Sequence, residues 1–376
     1  MLLFTLCTVC AVFGLVVIAS ATATSEEGSA HYVFVQTLAL LIGIGLFVMF
    51  TVIDIDVFAD RWLWLYIGSA ALLLILIPFG RDDGTGNKSW LRFLGIGIQP
   101  SEIIKVVFTV VLAKHISFLS RYRDLNHILS LAQLALHFAI PFVLIVGITG
   151  DLGSALIFFS IFLVMLFASG VKLYWFAIGA AGVAALIPLA WGRLREDQRI
   201  RILAPYDPER WDPKGDSWLY QATKSKLALA SGRLTGTGLF HGPQTQSRAV
   251  PAQQTDFIFS VIGEELGMIG CYVVLGLLLL IILRCVYVGL HARSMMGMLV
   301  CFGVAGTILF QTVINVGMCT GLTPVIGLTL PFFSYGGSSL FSQFAAAGLV
   351  SGIRYRPKPQ SFRRTRIRPS FKGGLF

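Results

Sequence analysis

Three groups of residues in this 376-residue chain carry side chains able to do chemistry at a membrane surface. Asp256 stands in Gln253-Gln254-Thr255-Asp256-Phe257-Ile258-Phe259, a lone carboxylate against an aromatic run. Removing water from such a carboxylate makes it a stronger base; a solvated or helix-capping aspartate is the plainer reading of the same residue types. Glu102 and Lys105 stand three apart inside an apolar run, so on a helix they share a face and pair. Ionisable groups at membrane depth are functional by default. Here a brace for the bundle and a substrate contact are both open and are compatible. Finally Arg193, Arg195, Arg199 and Arg201 crowd the end of another apolar run. They read either as a solvated helix end or as guanidiniums for a phosphate or diphosphate headgroup.

The elements that must hold these groups are membrane helices. Hydrophobic residues make up 56% of the chain and charged residues 13%, against about 25% charged in a soluble protein. That excludes a soluble enzyme, a nucleic-acid-binding domain and a disordered chain. The net charge of +10 points to a bilayer rather than to nucleic acid. Apolar runs long enough to cross the hydrocarbon core fall near 2–22, 33–53, 62–80, 99–118, 128–148, 152–169, 174–192, 264–284, 295–314 and 332–352. The expected fold is an all-α polytopic membrane protein of about ten helices. Strand-like alternation at barrel spacing does not recur. The first run ends in Ala19-Ser20-Ala21, which looks like a cleavage site, but its length and the missing basic n-region favour a retained first helix.

With the N-terminus inside, the inner loops and tail hold fourteen Lys and Arg residues and the short outer loops only Arg81, Lys88 and Arg92. Both termini are therefore expected in the cytoplasm, with 354–376 a basic cytoplasmic tail. The six cysteines lie in or beside apolar spans and read as small buried hydrophobes. The six histidines show no ligand spacing in sequence, so nothing points to zinc.

Between the seventh and eighth runs, residues 193–263 carry ten basic and seven acidic side chains. A loop this long is rarely a mere connector. Within it, 217–230 reads as an amphipathic interfacial helix. Gly232, Gly236, Gly238 and Gly242 imply tight turns or close approach to a ligand. Asp151, Glu264 and Glu265 stand at the starts of runs, where they suit capping and the helix dipole. In 321–339, Pro324 and Pro331 with Gly327, Gly336 and Gly337 break any continuous helix. Broken backbone at this depth lines a cavity or is buried in protein, which by itself fits a transporter.

Together these motifs resemble the SEDS (shape, elongation, division, sporulation) family of RodA, FtsW and SpoVE. The matching stretches are Gln99-Pro-Ser-Glu102-x-x-Lys105, Asp151-Leu-Gly-Ser-Ala, Asp207-Pro, Tyr220-Gln, Ser231-Gly, Thr255-Asp256-Phe-Ile-Phe-Ser-Val-Ile-Gly-Glu264-Glu265-Leu-Gly and Pro324-x-x-Gly-x-x-Leu-Pro-Phe-Phe-Ser334-Tyr-Gly-Gly-Ser338-Ser. The resemblance spans the second run to residue 353, so 1–353 is expected to be one membrane domain. It implies a peptidoglycan glycosyltransferase that polymerises lipid II at the outer face of the bacterial cytoplasmic membrane. It places the essential loop aspartate on Asp256 and the membrane pair on Glu102 and Lys105. Substrate contacts are expected from these two, Gln99, Arg193, Arg199, Arg201, Ser334 and Ser338. A divalent cation, Mg²⁺ or Mn²⁺, is expected, with Asp256 as either base or ligand. Expected partners are a class B penicillin-binding transpeptidase, membrane proteins of the elongation or division machinery, and membrane lipids, but no nucleic acid. The 239–246 stretch leans toward RodA-like elongation, with FtsW-like division and SpoVE-like sporulation as the alternatives. This chain departs from the family pattern at Arg233-Leu234 (usually Gly-Gly), Gly150 (usually proline) and Thr329 (usually proline). Two other readings compete: a lipid II flippase without chemistry, and a scaffold that only recruits the transpeptidase.

Overall fold

The computed structural model describes residues 1–25, 28–81, 88–93, 96–194, 196–211 and 218–355. An apolar chain with no water at hand satisfies its backbone internally, and this one does so in helices. They are α1 (Leu2–Ala21), α2 (Gly28–Val52), α3 (Ile55–Asp60), α4 (Trp62–Leu74), α5 (Leu76–Phe79), α6 (Pro100–Tyr122), α7 (Ile128–Leu144), α8 (Leu152–Ala168), α9 (Leu173–Trp191), α10 (Glu196–Leu203), α11 (Pro208–Trp211), α12 (Trp218–Ser231), α13 (Pro243–Gln246), α14 (Ile258–Leu290), α15 (Met295–Thr320) and α16 (Gly337–Tyr355). A small antiparallel hairpin, β1 (Leu91–Phe93) and β2 (Ile96–Ile98), precedes α6.

Seven of the described segments are long and apolar enough to cross a membrane, and α8 and α9 are shorter apolar helices. The tenth expected span, α16, is not apolar enough to join them, and its position explains why. It packs against α2, α6, α1, α14 and α15, so it meets protein rather than lipid and can carry Ser338, Ser339, Ser342 and Gln343, all buried. At Gly348 an added Cβ would stand 2.5 Å from the Phe47 carbonyl of α2, a backbone approach that small residues permit in membranes. By contrast, the described side chains of α9 are exposed almost all round, as suits a helix whose solvent is lipid.

Two helix defects are repaired by neighbours. Pro141 lies inside α7 and cannot donate to the carbonyl of His137; Tyr66 of α4 donates its hydroxyl there instead, at 2.8 Å. In α14 the backbone leaves the helical region at Gly267 (φ 67°, ψ −167°). The amides of Met268 and Ile269 lose their helical partners and donate to the carbonyls of Arg233 and Leu234. On the other side of the break, Thr237 and Gly238 donate their amides to the carbonyls of Glu264 and Glu265. The 232–238 turn therefore plugs the break and caps both halves. Of the two roles expected for these glycines, the tight turn is the one seen: a Cβ on Gly236 (φ +81°) would meet the Glu265 carbonyl.

The described part of the segment between α9 and α14 is correspondingly richer in helix than a plain loop. Its 218–231 helix, expected to lie in the membrane interface, docks on α14 and α15 through buried Ala222, Ser225 and Ala228. The Ser225 hydroxyl pairs with that of Ser260 and reaches the Cys319 carbonyl at 2.7 Å. Glu264 and Glu265 are also corrected. The helix begins at Ile258 rather than near 264, so neither residue caps its start. Glu264 instead caps a different helix, accepting the amides of Gln244 and Thr245 at 2.8 Å each at the start of α13. Glu265 accepts from Ser20 of α1 and from Gln246. Asp151 does cap α8, accepting from the Ser154 amide at 2.9 Å. The cysteines are free, and all but Cys271 are buried, as expected.

Candidate functional site

Asp256 sits half-buried in the turn that feeds α14, and its backbone is held from two directions. Asn315 of α15, fully buried, spends both amide hydrogens on carbonyls: one on Asp256 and one on Leu328, each at 2.7 Å. One residue back, the Thr255 carbonyl accepts the Ser334 hydroxyl at 2.6 Å, while that hydroxyl accepts the Leu330 amide at 2.8 Å. The Gln254 carbonyl takes the Tyr335 amide at 2.8 Å. The Asp256 turn and the broken 321–336 segment are thus one rigid unit, which Gln36 of α2 bolts to the bundle through the Ser334 carbonyl and the Gly336 amide, both at 3.1 Å. Gly327 faces the aspartate; a side chain there would start 3.5 Å from Asp256 Oδ2. The broken 321–339 segment is buried in protein for much of its length, one of the two settings its pattern implied.

A second polar layer lies at the start of α6. Gln99 donates its side-chain amide to Asp151 Oδ2 at 2.9 Å and its backbone amide to the Ser338 hydroxyl at 3.3 Å. Glu102 and Lys105 form the expected pair at 2.5 Å, both buried, and Ser342 of α16 donates to Glu102 Oε2 at 3.3 Å. Lys105 borders a narrow open cleft of about 20 Å³ between α6, α15 and α16, shared with Thr109, Thr307, Ser342 and Gln343. The two layers meet on α16. The Thr329 hydroxyl bonds that of Ser339 at 3.2 Å, Gln343 donates to Ser339 at 3.0 Å, and the Gln343 carbonyl oxygen takes the Phe332 amide at 2.7 Å. Thr329 makes a contact that the usual proline could not.

Several residues expected to touch substrate have other work here. Ser334 and Ser338 are buried and their hydroxyls hold backbone, so they shape the site from behind. Gln99 likewise spends its described bonds on Asp151 and Ser338. Arg193 is exposed in the turn after α9, while Arg199 folds back to the Gly192 carbonyl at 3.2 Å. The side chain of Arg201, Arg195 and the basic tail from 356 onward lie outside the described residues. Sequence reasoning missed Asn315, Gln36 and Gln343; the available signal was an uncharged amide in an otherwise apolar helix, which must find partners. It also missed His115 and His137, which stand on α6 and α7 with Nδ1 atoms 3.0 Å apart.

Among the described residues no three His, Cys, Asp or Glu side chains converge on one point, so no protein-only metal cage is formed there. A single carboxylate such as Asp256 does suit Mg²⁺ or Mn²⁺ in another way, since these ions often take one or two carboxylates and fill their sphere with water and substrate phosphates.

Comparison with known proteins agrees with this architecture. A family model described as cell cycle protein, FtsW/RodA/SpoVE, matches residues 1–358. The chain is 36% identical over 299 residues to the peptidoglycan glycosyltransferase MrdB of Escherichia coli K12, covering 78% of each chain. It is 32% identical over 346 residues to stage V sporulation protein E of Bacillus subtilis, covering 90% of this chain and 92% of that one. Among solved structures, one described as structural coordination of polymerization and crosslinking by a peptidoglycan synthase complex superposes with a TM-score of 0.78 at 30% identity, over 94% of this chain and 98% of the other. The rod shape determining protein RodA of Thermus thermophilus gives 0.69 at 26%, over 94% and 97%. With its motifs, helix order and full-length match in agreement, this polytopic membrane protein belongs to the FtsW/RodA/SpoVE, or SEDS, family.

Proposed function

We propose that this chain is a peptidoglycan glycosyltransferase that polymerises lipid II at the outer face of the bacterial cytoplasmic membrane, with both its termini in the cytoplasm. The observation that carries the reading is the half-buried Asp256 carboxylate on a backbone clamped by Asn315 and Ser334. A general base works only if its oxygen is held within hydrogen-bond reach of the proton it takes, and positioning of this kind supplies much of a catalytic barrier reduction.

Asp256 takes the proton of the acceptor sugar's 4-hydroxyl as that oxygen attacks the anomeric carbon of the lipid-linked donor. The bond to undecaprenyl diphosphate breaks with inversion, α to β. One displacement needs one carboxylate and no covalent enzyme intermediate, unlike the paired carboxylates of retaining hydrolases. Charge grows on the departing diphosphate, and cationic groups placed there stabilise it; Lys105, Arg193, Arg199 and Arg201 are the candidates on this chain. In the alternative role, Asp256 would hold a divalent cation instead of acting as base, and the cation would supply Lewis-acid neutralisation of the diphosphate charge.

A class B transpeptidase is the partner we expect, in the elongation or division machinery; likeness to a peptidoglycan synthase complex supports it. The test is polymerisation of labelled lipid II by the purified protein with Mg²⁺ or Mn²⁺, alone and with such a transpeptidase, beside Asp256→Ala. We expect a glycan ladder from the wild type and a loss of about 10²- to 10⁴-fold in the variant. A ladder of equal strength from both would remove Asp256 from the chemistry. No ladder with the partner present would remove the transferase reading.

A further inference from the structure

At the end of the bundle opposite the Asp256 turn, α14 and α16 present an arginine pair of unusual design. The guanidinium of Arg284 lies 5.2 Å from the ring centroid of Tyr287, and that of Arg354 lies 5.8 Å from the same ring. The two cations are therefore no more than about 11 Å apart. Tyr287 itself lies against His291, with ring centroids 4.3 Å apart and planes tilted by 34°, and the His291 Nδ1 bonds the Tyr287 carbonyl at 2.8 Å. The tilted ring pair forms a shared aromatic surface, and each arginine rests against Tyr287 through the cation–π attraction.

A guanidinium held by its face keeps its N–H edge, with five donors, for something else. Among the described residues neither arginine forms an ion pair or donates a hydrogen bond to the protein. The helix dipole accounts for a cation in the last turn of α16, where Arg354 sits. It does not account for Arg284, which lies six residues before the end of α14 and so beyond the last turn. Two like charges converging on one ring without a carboxylate call for an anion. The neighbouring surface names its kind: Leu279, Leu280 and Leu283 of α14, on the span side of Arg284, are exposed, an apolar wall that would take acyl chains.

We propose that Arg284, Arg354 and the Tyr287–His291 pair form a binding site for the phosphate headgroup of an anionic phospholipid, whose chains lie along the exposed leucines of α14. Paired arginines match phosphate oxygens by geometry as well as charge, and basic pockets between membrane helices recognise such headgroups. The site is remote from the transferase chemistry and does not depend on it.

The test is native mass spectrometry of the full-length protein in detergent, titrated with phosphatidylglycerol, with phosphatidylcholine as the zwitterionic lipid and with inorganic phosphate as the small anion. We expect retained phosphatidylglycerol in preference to phosphatidylcholine, with affinity falling roughly thirtyfold in Arg284→Gln/Arg354→Gln, since each surface arginine contributes on the order of one tenfold step or slightly less. Tyr287→Leu, which keeps both charges but removes the aromatic surface, should also weaken retention, while Tyr287→Phe should not. Glutamine replacement of the tail residues Arg363, Arg364, Arg366 and Arg368 should leave it intact. Equal retention by wild type and double variant, or loss only on tail neutralisation, would overturn the site. Displacement of the lipid by millimolar phosphate would overturn its assignment to a lipid. Unchanged size-exclusion profiles keep these outcomes separate from misfolding.

Discussion

Asn315 offers the sharpest test of how the site is built. Its side-chain amide ties the carbonyl of Asp256 to that of Leu328 at 2.7 Å each, and no part of it is exposed. Asn315→Ala leaves both carbonyls without this donor. Buried polar groups left unsatisfied cost about 1–3 kcal/mol each, whereas hydrogen bonds inside membranes average about 0.6 kcal/mol. Asn315 stands near the end of α15, between these limits, so we expect about 1–4 kcal/mol of lost stability. The effect on rate should be larger. Misplacement of a reacting group by about 1 Å can cost about 10²-fold, and the freed turn carries the proposed base. The expected result is a 10- to 100-fold lower turnover of lipid II with little change in KM, in protein that still elutes as a single species. Asn315→Asp should be worse than alanine, because a carboxylate has no hydrogen to donate and sets negative charge against two carbonyl oxygens. In an Asp256→Ala background the same alanine change should cost almost nothing further, since residues acting as a unit are not additive. Wild-type turnover from Asn315→Ala, or rescue by aspartate, would refute the argument that these two donors set the position of Asp256.

Three other outcomes follow from particular backbones and charges. Arg233 holds a left-handed conformation (φ 49°) that glycine adopts without a Cβ penalty, so Arg233→Gly should raise thermal stability by the equivalent of about 1 kcal/mol, read as a melting shift; a lower melting point would contradict it. Gly150 also has a positive φ of 68° after the π-turn Ile145–Thr149, a conformation that a proline ring forbids. Gly150→Pro should therefore destabilise this protein and weaken the Asp151 cap of α8, whereas a neutral melting result would show that the turn re-forms freely. For the buried pair, Glu102→Gln strands Lys105 and should cost about 3–5 kcal/mol. The charge swap Glu102→Lys/Lys105→Glu should recover most of that stability. If polymerisation also returns, the pair is a brace; if stability returns without activity, Lys105 meets the substrate.

Much of this protein is set by local sequence. Apolar runs of membrane length become helices because the bilayer leaves the backbone no other partner, and Glu102 and Lys105 pair because three residues nearly complete a turn. Asp151 caps the helix that begins beside it. Pro324, Pro331 and the glycines around them interrupt a helix wherever they fall. Each of these depends on neighbours within a few positions, and each could be read before the chain was folded. What depended on packing could not. The central place of α16 is hidden by its serines, which only burial against other helices makes tolerable. Glu264 and Glu265 stand where a helix start was expected, yet serve α13 and α1, because the chain breaks at Gly267 and a turn some thirty residues upstream fills the gap. His115 and His137 meet across two helices, Arg284 and Arg354 across two others, and Asn315 reaches back 59 residues to Asp256. Spacing along the chain carries no information about such contacts; they exist because the bundle brings distant side chains to hydrogen-bond distance and removes the water that would otherwise compete for them.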